Sequence, residues 1–265
     1  MLDRAPDGSW VPGGPSLYAA RIALALGPET ELLTRLPAGY PGDLLDGLRL
    51  HALAATGVPR YVNTYDGDGN RQQLLIHEGE PIPGEAFAAV AAADVLFLAP
   101  AFHEFEAMPA LAAKVRAVSL QGILRSRDGD RVVPRTDAFE ACGPFASEGV
   151  LCFFSDEDTA EPRELARHLA AMGATVAVTH GREGATLSLG AEEHSASAFE
   201  ATSIDPTGAG DAFAMAFTVC FAESGDAQAA LRFGLMAGAL AVEGVGFEGV
   251  PSRAAIERRL SVVNT

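Results

Sequence analysis

Lysine is almost absent from this chain: Lys114 is the only one in 265 residues. That excludes a Walker A loop, which needs a lysine beside Ser or Thr to reach nucleotide phosphates. Basic charge is short altogether, with 19 Lys and Arg against 35 Asp and Glu and a formal net charge of −16. Nucleic acid needs a basic footprint, so it is not the expected partner. A nucleotide stays open, because a local pocket of amides binds phosphate even on an acidic protein. Cysteines number three, Cys142, Cys152 and Cys220, scattered and odd, which argues against a disulfide framework or a zinc site. No apolar run is long enough to span a bilayer. Asp3, Arg4 and Asp7 interrupt the start where a signal peptide would carry its apolar stretch. The expectation is a cytoplasmic protein with no membrane partner. The six histidines, including His51, His103 and His180, show no metal-ligand spacing and read as structural or exposed.

What the chain does have is apolar material, 48% of its residues, enough for one large core. Met1–Pro12 reads as a loop. Ser16–Leu26 is a small-residue helix stopped by Gly27, and Glu31–Leu36 a strand. Asp43 caps an expected helix over Leu44–Thr56. Arg60–Tyr65 and Arg71–His77 flank Asp66-Gly67-Asp68-Gly69-Asn70, a hairpin signal. Glu85–Ala93 and Ala107–Val115 read as helix, and Val95–Ala99 and Ala117–Leu120 as strands. Gly149–Phe154 and Ala174–Thr179 are buried strands around a helix at Thr159–Met172. Thr186–Leu189 and His194–Phe199 pair at a sheet edge, and Asp226–Val242 and Ser252–Leu260 close the chain as helices. Apolar strands alternating with helices predict an α/β fold with a mostly parallel sheet covered on both faces. No linker divides the chain, so one domain over 1–265 is expected, with the hairpin at about 60–77 as a lid. Ligands of such sheets bind beyond the carboxyl ends of the strands.

The stretch Asp205-Pro206-Thr207-Gly208-Ala209-Gly210-Asp211-Ala212-Phe213 stands out. Two glycines leading into a helix leave unpartnered N–H groups at the positive end of the helix dipole, which together form an anion site. Asp211 at the mouth of such a site repels phosphate. It fits there as the base that accepts a proton from a hydroxyl attacking phosphorus. Spacing alone leaves a second reading open: a glycine-rich turn and an acid that complements the helix dipole.

The same nine residues resemble the C-terminal signature of the ribokinase-like (PfkB-type) carbohydrate kinases. The resemblance implies a ribokinase-like three-layer α/β/α sandwich, with a mostly parallel central sheet and a small β lid. It assigns the anion hole to Gly208, Ala209 and Gly210 and the catalytic base to Asp211. Gly13-Gly14 is similar to the pair that lies against the sugar, although Tyr18 stands where family members often carry Asn. Asp3 falls where an aspartate binds substrate hydroxyls, with the strand before it missing. Val176–Ala185 resembles the turn beside the nucleotide, implying Thr179, Gly181 and Gly184, together with Thr207, as nucleotide-binding residues. Ser155 and Asp158 occupy the ends of an Asn-x-x-Glu motif that organises Mg²⁺, so Asp158 is the metal candidate, acting through water. Helix capping by Ser155 or Asp156 is the competing reading. Gln121-Gly122-Ile123-Leu124-Arg125, Asn63-Thr64-Tyr65, Gly69-Asn70-Arg71 and Gln73 loosely resemble an inositol-kinase-like subgroup, with Arg125 as a substrate or phosphate contact.

The expected activity is phosphoryl transfer from ATP, with Mg²⁺ and room for a monovalent cation, to a sugar or polyol hydroxyl. A nucleoside acceptor stacked on Tyr18 and a non-catalytic binding protein on the same scaffold are the alternatives. Lid edges pair between subunits in this family, which makes a homodimer an expectation.

Overall fold

The computed structural model describes residues 1–5, 7–65, 71–90 and 92–263. The strands are β1 (Leu2–Arg4), β2 (Trp10–Pro12), β3 (Glu31–Leu36), β4 (Arg49–Ala54), β5 (Arg60–Tyr65), β6 (Arg71–His77), β7 (Ala93–Leu98), β8 (Ala113–Ser119), β9 (Arg125–Asp128), β10 (Arg131–Pro134), β11 (Val150–Ser155), β12 (Thr175–Thr179), β13 (Ala185–Leu189) and β14 (Glu192–Ala196). The helices are α1 (Pro15–Leu26), α2 (Gln121–Leu124), α3 (Ala138–Cys142), α4 (Pro162–Ala171), α5 (Ala209–Ser224), α6 (Ala227–Ala241) and α7 (Arg253–Val263).

The central sheet runs in the order β14-β13-β12-β11-β8-β7, parallel from β7 to β12 and antiparallel beyond. Side chains alternate across a strand, so each run of apolar residues serves two cores. On β11, Cys152 and Phe154 join Leu165 and Leu169 of α4 on one face, while Leu151 and Phe153 meet Phe213 and Phe217 of α5 on the other. That is why β11 reads as an unbroken apolar strand. Helix α5 packs extensively on α6 and α1, which form the outer layer on its side. Its apolar residues surround the whole helix, matching its place between sheet and helices. Cys142 and Cys152 are buried free thiols and Cys220 a half-buried one.

Caps and stops follow the chemistry of the sequence. The Asp226 carboxylate accepts from the Gln228 and Ala229 amides at 2.9 and 3.0 Å and opens α6. Gly27 and Gly225 close α1 and α5.

Several expectations are corrected. The N-terminal segment is not a loop: Asp3 lies in β1, which pairs antiparallel with β2 and parallel with β5. The lid is larger than a hairpin, a six-stranded sheet in the order β2-β1-β5-β6-β10-β9. The hairpin strands β5 and β6 pair as expected. The turn assigned to Asp66–Asn70, and Gly69 and Asn70 of the subgroup resemblance, lie outside the described residues. The helix expected over Leu44–Thr56 is a single 3-10 turn at Asp43–Leu45 followed by β4, parallel to β3. Gly47, at φ +83, breaks the helical path, and the backbone beyond it pairs with β3. Glu85–Ala93 forms a 3-10 segment, Gly84–Ala89, then enters β7. Residues 107–112 are irregular and β8 begins at Ala113. Pro109, with no N–H to give a helix, stands inside the span expected to be helical.

Candidate active site

The carboxyl ends of the central strands, the start of α5 and the inner edge of the lid converge. Gly208 caps α5 in the left-handed conformation, φ +81. A Cβ there would fall 2.5 Å from the Tyr18 ring, so both conformation and space demand glycine. The first helical bond runs from the Ala212 amide to the Gly208 carbonyl at 2.8 Å. The Gly210 and Asp211 amides therefore precede the ladder. The Ala209 amide instead donates to Pro206 at 3.3 Å, which leaves it turned into the loop. At Gly210 a Cβ would meet nothing within 4 Å, so space is open on that side.

Asp205 fastens this loop from behind. It accepts from the Thr207 amide at 2.9 Å and from the Gly246 amide at 2.9 Å. Tyr18 does not present a free ring. It is buried, stacked on Phe247 at 4.1 Å between centroids, and pressed against Gly208. It braces the loop, and its occupied face corrects the expectation that it stacks on a base.

Asp211 sits in the first turn of α5 and retains some solvent contact. Enough protein surrounds the carboxyl to push its pKa up to about 7. Burial is the main cause, the nearby Asp158 adds to it, and Arg125 opposes it. A carboxyl poised there takes up and releases a proton near neutral pH. Arg125 is buried at the start of β9. It donates to the Ala101 carbonyl at 3.2 Å and lies 5.1 Å from the Tyr61 ring centroid. Tyr61 donates to the same carbonyl at 2.7 Å. His103 beside it adopts φ +55, an uncommon backbone state for a residue with a side chain, and bonds the Arg125 carbonyl at 2.7 Å. The sequence reading of His103 as structural or exposed gave it no place at this site, since no spacing signal marks it.

Asp3 and the glycine pair come together. A Cβ on Gly13 would fall 2.0 Å from Asp3 Oδ2, so the glycine exists to let this carboxylate approach the backbone. Gly14, at φ +98, opens α1.

Asp158 takes the capping role. Its Oδ2 accepts from the Ser155 amide at 2.8 Å while the Ser155 side chain accepts from Glu157, a capping box around the 3-10 turn Asp156–Asp158. Its Oδ1 accepts from Gln121 at 3.3 Å, which joins the Gln121–Arg125 motif to this strand end. Among the described residues no cluster of three His, Cys, Asp or Glu groups holds a metal. Mg²⁺ keeps several waters and needs only one or two carboxylates, so Asp158 near Asp211 fits it without a cage.

Thr179 ends β12, and the 3-10 turn Gly181–Glu183 follows. Gly181 stands in open space, whereas a Cβ on Gly184 would hit the Ala196 carbonyl at 2.0 Å. Gly184 thus serves the packing of this turn on β14. His180, read as structural or exposed, bonds Asp156 at 2.8 Å and Thr186 at 3.0 Å and so ties this turn to the 3-10 turn after β11 and to β13. Thr207 is exposed in the loop that leads into α5.

This arrangement is the ribokinase fold, an α/β/α sandwich with a β lid over the carboxyl end of its sheet. Among solved structures, a pyrophosphate-dependent myo-inositol-1 kinase variant is similar at TM-score 0.77 and 19% identity over 97% of this chain and 95% of its own. The Burkholderia thailandensis nucleoside kinase, in complex with inosine, is similar at TM-score 0.69 and 20% identity over 96% and 86%. The chain matches the pfkB family carbohydrate kinase model over residues 145–252. It is also homologous to a Bacillus subtilis ribokinase, 40% identical over 94 residues. That stretch is 35% of this chain and 32% of the ribokinase, so it spans about a third of that relative. No helix among the described residues is long and apolar enough to cross a membrane.

Proposed function

We propose that this protein is a kinase that transfers the γ-phosphoryl group of ATP to a hydroxyl of a sugar or polyol, an inositol-like ring being one candidate. The observation that carries this reading is the placing of Asp211 beside the helix-start amides of α5, with its carboxyl pushed up to about 7. MgATP supplies an activated phosphoryl group with part of its charge neutralised. The Gly210 and Asp211 amides, with Gly208 and Ala209 shaping the loop, hold phosphoryl oxygens at the positive end of α5. Asp211 takes the proton of the acceptor hydroxyl. Arg125 keeps enough positive charge nearby for Asp211 to ionise, and it binds an acceptor or phosphate oxygen. Asp3, against Gly13 and Gly14, holds acceptor hydroxyls. Thr179, Gly181 and Thr207 border the nucleotide, with Gly184 shaping their turn, and Asp158 holds Mg²⁺ through water. The lid excludes water that would otherwise hydrolyse the donor. Its outer strands β2 and β9 are the edges through which a homodimer would pair.

A panel of polyols, sugars and nucleosides with MgATP, read by ADP release, tests this reading. A pyrophosphate arm read by phosphate release belongs in the panel, because a structurally similar kinase is pyrophosphate-dependent. A nucleoside acceptor is the second reading, supported by the likeness to the inosine-bound kinase. Ligand-induced stabilisation with no product from any pair would sink the catalytic assignment and leave a binding protein.

A further inference from the structure

Among the described residues His103 is the one non-glycine in the left-handed region, at φ +55. A side chain there adds strain that glycine would avoid, so what the imidazole touches matters. The ring stacks on Phe102 at 4.2 Å between centroids, and its Nε2 reaches the Arg125 carbonyl at 2.7 Å. A carbonyl only accepts, so Nε2 carries the ring hydrogen. Burial lowers the His103 pKa against the pull of that bond, and Arg135, 3.4 Å from the same nitrogen, lowers it further. The imidazole is therefore neutral near pH 7 and serves as a fixed donor.

Arg125 needs that donor because of its place in the lid sheet. β9 is the last strand of that sheet, and Arg125 stands opposite Pro134 of β10. The Arg135 amide donates to the Leu124 carbonyl at 2.9 Å, which puts the ladder bonds on the neighbouring pair. Bonded and non-bonded pairs alternate along an antiparallel ladder, so the Arg125 carbonyl points away from β10. His103 supplies the hydrogen there that a further strand would supply. Two residues earlier in the same turn, the Ala101 carbonyl accepts from the Arg125 guanidinium at 3.2 Å and from the Tyr61 hydroxyl at 2.7 Å. The turn thus holds Arg125 by main chain and side chain at once. The turn is firmly seated itself. The His103 amide donates to the Gly122 carbonyl at 3.3 Å, and a Cβ on Gly122 would fall 2.1 Å from the Pro100 oxygen. The Glu104 carboxylate accepts from the Phe102 amide at 2.7 Å and closes the turn on itself.

We propose that His103 is a positioning residue: it fixes Arg125 at the junction of lid and body, and through Arg125 it sets the fit of the acceptor. The inference deepens the kinase reading and rests on it for the role of Arg125. Its left-handed backbone follows from that task, since the turn must present the imidazole and the Ala101 carbonyl to the same residue.

The test compares His103→Gly, which removes the donor and the strain together, with His103→Gln, which keeps an N–H donor on a side chain of similar reach. The readouts are Tm, hydrogen exchange of residues 122–126, and kinetics with the best acceptor of the panel above. His103→Gly is expected to melt within about 3 °C of the wild type, because relief of strain offsets the lost bond. Its exchange at 122–126 should speed up about tenfold. Its acceptor KM should rise about tenfold with donor KM unchanged, and His103→Gln should restore acceptor KM to within about threefold. Adding Arg125→Met to His103→Gly should raise acceptor KM no further than Arg125→Met alone, since both act through one group. An unchanged acceptor KM in His103→Gly, an equal rise in donor KM, or effects that multiply in the double variant would overturn the proposal. If no acceptor and donor pair gives product, the kinase reading falls by itself, and exchange still decides the hold on Arg125: faster exchange at 122–126 upholds it, and unchanged exchange overturns it.

Discussion

Asp211→Asn is expected to make this protein more stable and far less active, by amounts that depend on pH. The carboxyl moves from 3.8 in the open chain to about 7 in the fold, a difference of about 3 pKa units. At 1.36 kcal/mol per unit that is a ceiling of about 4 kcal/mol. Residual solvent contact and local relaxation raise the effective dielectric, and about 2 kcal/mol is the working value. Below pH 3.8 both states are protonated, and the variant has no ionisation advantage. Between there and about pH 7 the unfolded chain ionises while the folded protein does not, so the wild type loses stability as pH rises. Above pH 7 both ionise and the gap is constant. At pH 5 roughly a third of the full gap is open. In a chain of this size about 2 kcal/mol corresponds to about 4–8 °C in Tm at pH 8. Turnover, which needs the base, should fall about 10²–10⁴-fold. Thermal melts at pH 5, 6, 7 and 8 with parallel ADP-release assays read both quantities. A Tm difference that does not change with pH, or turnover equal to wild type, would refute the reasoning.

Four further tests follow from the structure. Gly210→Ala should fold with stability equal or slightly higher, because its Cβ meets open space and alanine favours a helix by about 1 kcal/mol; it should lose turnover if that space receives a phosphoryl group. Gly208→Ala should lose both activity and Tm, since φ +81 and the Tyr18 ring 2.5 Å away admit no side chain; melts and kinetics on the pair separate loop shape from anion binding. Arg125→Met removes the charge that lowers the Asp211 pKa, so the rising limb of the kcat/KM profile should move to higher pH, whereas Arg125→Lys should hold it nearer its original place. Asp226→Ala deletes the two cap bonds of α6 and should cost about 1 kcal/mol, near 2–4 °C in Tm, with kcat unchanged.

Much of the central sheet was legible in the order of residues. Val150–Ser155 and Thr175–Thr179 are apolar and β-branched because both faces are covered, and a strand buried on both sides has no polar alternation to confuse the reading. Helices with local punctuation, such as Asp226 before α6 and Gly27 after α1, were equally plain. Segments whose state depends on a distant partner were not. The Leu44–Thr56 run has helical composition, yet its fate is set by pairing with β3 and by the turn at Gly47. Asp3 fell in a segment read as loop because its strand is three residues long and exists only between β2 and β5. Asp158 was read as a metal candidate against helix capping by Ser155 or Asp156, and the structure supplies a capping box between Ser155 and Asp158 and a Gln121 contact that spacing could not weigh.

By itself the sequence determined the layered architecture and the loop at 205–213, because periodicity, glycine freedom and helix-start chemistry are local and leave their mark in neighbouring residues. Only the tertiary structure decided that Tyr18 is a brace and not a platform, that Gly13 exists to admit the Asp3 carboxylate, and that burial pushes the Asp211 carboxyl up to about 7. Each of those depends on desolvation or close approach between segments far apart in the chain, and such contacts are fixed by packing rather than by sequence order.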